Sequence, residues 1–357
     1  MATRQEQMSG AGEVRQGLGF DEARLATWMA ANVADYAGPL TVRQFNGGQS
    51  NPTYKLETPL QNYVLRRKPP GLLIKSAHAV DREYKVITAL HAAGFPAPRT
   101  FGLCTDDDVI GTWFYVMDCV EGRIIWDNTF PDVSRDDRPR YFDAMNATIA
   151  QLHNLDPVAI GLGDFGKPGN YFVRQIGRWS KQYLEDADAG RVASMDKLVE
   201  WLPANIPDDG DESRVVHGDY RCDNMIFHPT EPKVLAVLDW ELSTLGHPLA
   251  DFSYHLMMYR MPPAATAGLL GNDLVALNIP SEDEYVEAYC KRTNRPEGIP
   301  NLDFYVAYNM FRLAAILHGI RGRVMRGTAA SAHAQKSAEG VELLADFAWA
   351  QAENARI

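Results

Sequence analysis

A change of pattern near residue 120 constrains this chain more than any other feature. Before it, segments 41–45, 53–57 and 62–66 are short and rich in β-branched and aromatic residues. Gly47-Gly48 and the Pro59 turn separate them, which predicts an antiparallel meander. A helix over 20–36, capped by Asp21 and apolar at Leu25, Trp28, Met29 and Val33, precedes them. A second helix over 80–93 is followed by strands at 100–104 and 113–119, split by the turn Asp106-Asp107-Asp108. Beyond Glu121-Gly122 the spacing is helical, over 138–154, 171–186, 195–201, 248–259, 282–292, 302–325 and 332–352. Strand-like segments interrupt it only at 213–217, 225–228 and 233–238. The expected architecture is α+β: a flexible tail over 1–20, a small β-rich lobe over 21–119 and a larger helical lobe over 120–357, with a ligand cleft between the lobes.

Charge and composition narrow the function classes. With 46 acidic against 35 basic side chains the net charge is −11, which argues against nucleic acid as a partner. Hydrophobic residues at 46% and charged residues at 23% suit a globular enzyme. The best apolar run, 311–320, contains Arg312 and His318 and falls short of the roughly 20 residues a membrane span needs, so no membrane association is expected. Cys104, Cys119, Cys222 and Cys290 form no CxxC pair, and the first twenty residues lack the apolar run of a signal peptide. Reduced thiols in a cytoplasmic protein are the expectation.

Chemistry concentrates in Val215-Val216-His217-Gly218-Asp219-Tyr220-Arg221-Cys222-Asp223-Asn224-Met225-Ile226-Phe227, followed by Val237-Leu238-Asp239-Trp240-Glu241. A strand delivers His-Gly-Asp into a tight loop, an Asn lies five residues after the Asp, and a second Asp ends the next hairpin. That set can gather one base and two oxygen ligands around Mg²⁺. Phosphoryl transfer requires such an arrangement, because its transition state needs positioning and charge neutralisation more than covalent help. Asp219 then orients or deprotonates an attacking hydroxyl, and Asn224 and Asp239 hold the metal. A solvated hairpin with incidental acids is the bland alternative.

This segment resembles the catalytic and metal-binding loops of the aminoglycoside phosphotransferase family, within the protein-kinase-like fold. The resemblance implies a two-lobed enzyme with its active site in the cleft, using ATP, with GTP as the alternative donor. Gln44-Phe45-Asn46-Gly47-Gly48-Gln49-Ser50-Asn51 resembles the family's nucleotide-positioning loop, where Gly47 and Gly48 let backbone N–H groups approach phosphate and Ser50 and Asn51 add donors. Tyr63-Val64-Leu65-Arg66-Arg67-Lys68-Pro69-Pro70-Gly71 resembles the strand carrying the phosphate-facing lysine of protein kinases. Here Arg66 takes that position, with Lys68 two residues on, and Glu83 on the following helix becomes its ion-pair partner. Tyr115-Val116-Met117-Asp118-Cys119-Val120-Glu121-Gly122 resembles the inter-lobe connection, which places Met117 on the adenine side. Gly246-His247-Pro248-Leu249-Ala250-Asp251 matches the segment after the metal Asp, with Asp251 supporting the catalytic loop. Within the family the likeness is strongest to the kinase-like domains fused to acyl-CoA dehydrogenases. That implies a small hydroxylated acceptor such as a hydroxyacyl thioester, and makes an aminoglycoside less favoured.

Other patterns compete. Gly161-Leu162-Gly163-Asp164-Phe165-Gly166 matches GxGxxG, but it follows a helix and runs into Lys167-Pro168-Gly169, so it is expected to be a loop. His217, His228, His247 and His255 with Asp219, Asp239 and Asp251 can be drawn as a metal-dependent phosphohydrolase, which leaves the glycine loop, Arg66 and Glu83 unused. A nucleotide-binding pseudokinase is the non-enzymatic alternative. For the acceptor pocket the candidates are Tyr220, Arg221, Tyr254, Tyr259, Phe311 and Arg312, and Arg312, Arg321, Arg323 and Arg326 are the cations for an anionic acceptor.

Overall fold

The computed structural model describes residues 10–46, 51–69, 79–208, 210, 212–263, 268–328 and 334–355. Its contacts divide the chain into two compact units that are not contiguous in sequence. The first gathers the described residues of Met1–Trp126, Val158–Phe165 and Cys222–Ser243. The second gathers those of Asp127–Pro157, Gly166–Arg221 and Thr244–Ile357.

The first unit is built on a six-stranded antiparallel sheet in the order β1-β2-β3-β4-β6-β5. These are β1 Ala11–Gly12, β2 Thr41–Phe45, β3 Thr53–Glu57, β4 Asn62–Arg67, β5 Thr100–Cys104 and β6 Phe114–Asp118. Two helices accompany it, α1 Glu22–Asn32 and α2 Val80–Ala92. Asp21 caps α1 by accepting from the Ala23 and Arg24 N–H groups, and Leu25 and Met29 sink into a core with Val42, Tyr54, Leu56, Tyr63, Leu65, Phe114 and Val116. Strand β4 is paired on both edges, Arg66 lying across from Thr53 on one side and Tyr115 on the other.

The tail expected to be loose is docked from residue 10 onward. β1 pairs with β2, Arg15 Nη2 donates to the Asn46 carbonyl at 2.8 Å, and Tyr54 Oη donates to the Leu18 carbonyl at 2.7 Å. The segment has no periodicity to announce this: of residues 10–19 Val14 alone packs on the core, and the rest is held by β-pairing, backbone carbonyls and the Arg15 N–H bond to Gln44 Oε1 at 2.9 Å. The hairpin of β8 Met225–Phe227 and β9 Val234–Val237 also belongs to the first unit. The Val237 N–H donates to the Pro96 carbonyl, and Arg123 and Phe227 exchange two backbone hydrogen bonds of 2.8 Å.

The second unit is helical, with α3 Arg138–Asn154, α4 Tyr171–Glu185, α5 Ala193–Ala204, α6 Pro248–Arg260, α7 Glu282–Arg292, α8 Leu302–Met325 and α9 Val341–Asn354. α8 is its axis: Phe304, Tyr305, Tyr308, Phe311 and Ala315 are fully buried, and α4, α6 and α9 pack on it. A small ribbon joins β7 Arg214–Val216 to β10 Thr244–Gly246, which the sequence reading did not anticipate. Gly246 permits it, since a Cβ there would lie 2.6 Å from the Tyr171 ring and 2.9 Å from Val216. The GxGxxG segment is a loop, and no helix begins between it and Tyr171.

Candidate active site

In the first unit the candidate residues converge on Arg66. Alternation along β4 sends Arg66 and Arg67 to opposite faces of the sheet. Arg67 lies over the Phe20 and Tyr54 rings and donates to the Leu18 carbonyl at 2.9 Å. Arg66 faces α2, where its Nε lies 2.8 Å from Glu83 Oε2 in an ion pair. Its Nη2 lies 2.7 Å from Asp239 Oδ1 and 3.4 Å from Glu241 Oε2, so three carboxylates surround one guanidinium. Lys68 instead places its ammonium 4.0 Å from the Trp113 ring centroid.

Glu83 is almost wholly enclosed, at 2% exposure. Asn51 Nδ2 donates to its Oε1 at 2.8 Å and Tyr115 Oη to its Oε2 at 3.0 Å. Burial pushes the Glu83 carboxyl above its ordinary value, although Arg66, Tyr115 and Asn51 all favour its ionised form. Burial alone would lower the Arg66 guanidinium, yet Glu83 and then Asp239 reverse this, and it is held above its ordinary value. Asn51 is fully buried, and Met117 is buried on β6 opposite Val64. Gly47, Gly48 and Ser50 lie outside the described residues.

Asp239 and Asn224 sit at the open end of the β8–β9 hairpin. The Leu238 N–H donates to the Asn224 carbonyl at 2.8 Å, which brings Asp239 next to the strand that Asn224 begins. Asp239 adopts the left-handed conformation, φ 64° and ψ 62°, a backbone that short polar side chains tolerate better than apolar ones. Trp240 anchors it from the core side through Nε1–H to the Val237 carbonyl at 2.9 Å and an edge contact with Phe95. At Gly122, where the sequence pattern changes, a Cβ would lie 2.3 Å from the Phe227 carbonyl oxygen.

In the second unit the loop after β7 carries Asp219. Gly218 turns the chain at φ +85°. Asp251 on α6 accepts from the backbone N–H of His217 at 2.7 Å and of Gly218 at 2.8 Å, and its Oδ2 lies 3.2 Å from His153 Nε2. Burial opposes its charge, but the His153 ring and the backbone donors hold the carboxyl below its ordinary value. Arg312 donates from Nη2 to the Gly218 carbonyl at 2.8 Å. Asp219 Oδ1 accepts from Tyr254 Oη at 2.5 Å and lies 3.1 Å from Arg221 Nε.

Several acceptor-pocket candidates serve the fold instead. Phe311 and Tyr220 are fully buried, and Tyr220 Oη donates to the Met145 carbonyl. Arg321 pairs with Glu342, and Arg326 with Asp186 and Asp188, so these two cations have protein partners of their own. Of the histidines, His255 shares a 2.7 Å hydrogen bond with Tyr285 and burial pushes it down to about 4, while His247 caps α6 and stacks on Tyr305. Among the described residues no group of three His, Cys, Asp or Glu side chains is arranged to hold a metal, and no helix is long and apolar enough to cross a membrane.

Comparison with known proteins agrees with this arrangement of elements. The sequence pattern described as the phosphotransferase enzyme family matches residues 41–291. The chain is 42% identical over 344 residues to acyl-CoA dehydrogenase family member 11 of Gallus gallus, covering 94% of this chain and 44% of that protein. It is 40% identical over 339 residues to family member 10 of Mus musculus, covering 94% and 31% respectively. The chain thus spans less than half the length of these relatives. A crystal structure from Ralstonia eutropha, described as a candidate aminoglycoside phosphotransferase, superposes with a TM-score of 0.87 at 48% identity, covering 95% of this chain and all of that one. Aminoglycoside phosphotransferase APH(4)-Ia, solved with ADP and hygromycin B, shares the fold at a TM-score of 0.60 and 15% identity, covering 92% and 98%.

Proposed function

Because the chain belongs to the phosphotransferase enzyme family, with a protein-kinase-like α+β fold, we propose that it transfers the γ-phosphoryl group of ATP to a hydroxyl of a small metabolite. The observation that carries this reading is the Arg66 node. A cation on a doubly paired strand, braced by Glu83 from α2 and touching Asp239, is what nucleotide phosphates require of a protein. Arg66 contacts the phosphates, and Glu83, Asn51 and Tyr115 hold it in place. Met117 would serve the adenine side, and Gly47, Gly48 and Ser50 would bind the phosphates, as their sequence resemblance implies.

The donor chemistry at the hairpin fits Mg²⁺: an amide oxygen from Asn224 and a carboxylate from Asp239 are hard oxygen ligands. A bound Mg²⁺ supplies charge neutralisation at the phosphates. Asp219 orients the acceptor hydroxyl and takes its proton as the hydroxyl oxygen bonds to the γ-phosphorus and the bond to the β,γ-bridging oxygen breaks, releasing ADP. Arg312 and Asp251 fix the backbone around Asp219. The names of the relatives favour a hydroxyacyl thioester as acceptor over an aminoglycoside.

The test is a metabolite extract incubated with the protein, Mg²⁺ and γ-labelled ATP, scored for labelled organic products by mass spectrometry. Product formation is expected, falling at least about a hundredfold in Asp219→Asn. Equal turnover in that variant, or no product from any hydroxylated fraction, overturns the proposal. Asp239→Ala is expected to abolish Mg²⁺-dependent nucleotide binding, and unchanged binding contradicts its metal role.

A further inference from the structure

We infer that Tyr254 is a positioning residue for Asp219, its hydroxyl fixing the carboxylate that the proposed phosphoryl transfer uses as base. The catalytic meaning rests on the function proposed above, whereas the geometry lies wholly within the second unit. Tyr254 Oη donates to Asp219 Oδ1 at 2.5 Å. One helical turn earlier on α6, Asp251 accepts from the His217 and Gly218 N–H groups. A single helix face therefore grips both the backbone and the side chain of residues 217–219. From α8, Arg312 donates to the Gly218 carbonyl, and its guanidinium lies 5.3 Å from the Tyr254 ring centroid.

Arg221, 3.1 Å away on the same loop, and His217, whose Nδ1 accepts from the Asp219 N–H at 3.1 Å, also face Asp219 in this unit. Arg312 contributes its charge from α8. Burial, reinforced by the Asp219 charge, pushes the Tyr254 phenol far above its ordinary value, so it remains a donor throughout the working range. A hydrogen bond donated to the ionised carboxylate stabilises that form and fixes its direction. Tyr254 thereby fixes the direction of the Asp219 carboxylate, which a general base must have aimed at its proton.

The test uses the full chain, aspartate labelled with ¹³C, and Tyr254→Phe, which keeps the ring beside Arg312. The Asp219 resonance is assigned by its loss in Asp219→Asn. Without the phenol donor, the Asp219 titration midpoint is expected to rise by about one to two pH units. With Mg-ATP and water as acceptor, the acid limb of turnover should rise in step, kcat should fall about ten- to a hundredfold, and KM for ATP should hold. An unchanged Asp219 midpoint overturns the inference. Absence of ATP turnover in the wild type sinks the phosphotransferase reading instead, and the titration still decides the role of Tyr254. If Tyr254→Phe does not fold, 3-fluorotyrosine at position 254 preserves the shape and strengthens the donor. The Asp219 midpoint must then fall, and a rise or no change overturns the inference.

Discussion

Replacing Arg66 with Met tests whether the three-carboxylate node is held by charge or by packing. Met keeps much of the aliphatic stem, so the loss is mainly that of the guanidinium. Glu83, at 2% exposure, is left as a buried carboxylate beside Asp239. Removing one partner of a buried ion pair costs about 3–5 kcal/mol. The lower end applies here, because Asn51 and Tyr115 still donate to Glu83. Asp239 and Glu241, with side chains 35% and 27% exposed, add little because solvent screens them. The expected loss at neutral pH is therefore about 3 kcal/mol.

The pH dependence follows from Glu83. Its folded-state value lies above its ordinary one, so its contribution to stability is fullest below about pH 4.3 and is lost as pH rises through the folded value. Removing Arg66 raises that value further, so the deficit of Arg66→Met against wild type should widen from acid to neutral pH. Urea unfolding is the assay, since it leaves charges unscreened. Adding Glu83→Gln should restore at least about 1 kcal/mol relative to additive losses. Additivity within about 0.5 kcal/mol, together with a deficit that does not change with pH, would refute the reasoning.

Gly122→Ala places a methyl group against the Phe227 carbonyl and should cost about 1–3 kcal/mol in the urea unfolding of the first unit, whereas a neutral effect would show that the 121–123 segment does not lie on β8. Asp251→Asn turns an amide toward one of two backbone N–H groups and should destabilise by about 1–3 kcal/mol. Since the Asp251 value is depressed, its stabilisation exists above about pH 3.9 and disappears as pH falls through the folded value. The gap between wild type and this variant must therefore narrow in acid, and a constant gap contradicts the assignment. His255, pushed down to about 4, should remain neutral at pH 5.5 when followed by its ring-proton NMR shift. Its contribution to stability is present above about 6.5 and is lost toward 4, so a midpoint above 6 excludes the buried placement.

What the sequence revealed divides by the range of the forces involved. The strands over 41–45 and 53–57 were legible because their side chains alternate, and the helix Leu302–Met325 because its long, largely apolar run contains no proline. The pairing of Arg66 with Glu83 was also within reach, through the resemblance of the 63–71 segment to the lysine-bearing strand of protein kinases. β10 was hidden because Thr244-Leu245-Gly246 is short and runs into His247-Pro248, a sequence that reads as a turn. Residues 10–19 were hidden because most of their partners are main-chain groups, which carry no residue code, and a single apolar contact from Val14 makes no period.

Tyr254 shows the limit most clearly. Its aromatic ring in a helix marks it as a candidate to line a pocket, and nothing local connects it to a carboxylate 35 residues earlier. Asp239 is the converse case. Its side chain was read as a candidate metal ligand from motif spacing, whereas its left-handed backbone and its contact with a guanidinium 173 residues away arise only once the hairpin packs beside β4 and α2. A motif specifies which chemical groups are supplied. The direction in which each group points is set by partners that lie far away in sequence, so substitutions at those partners, Tyr254 and Glu83 above all, separate orientation from identity at the site.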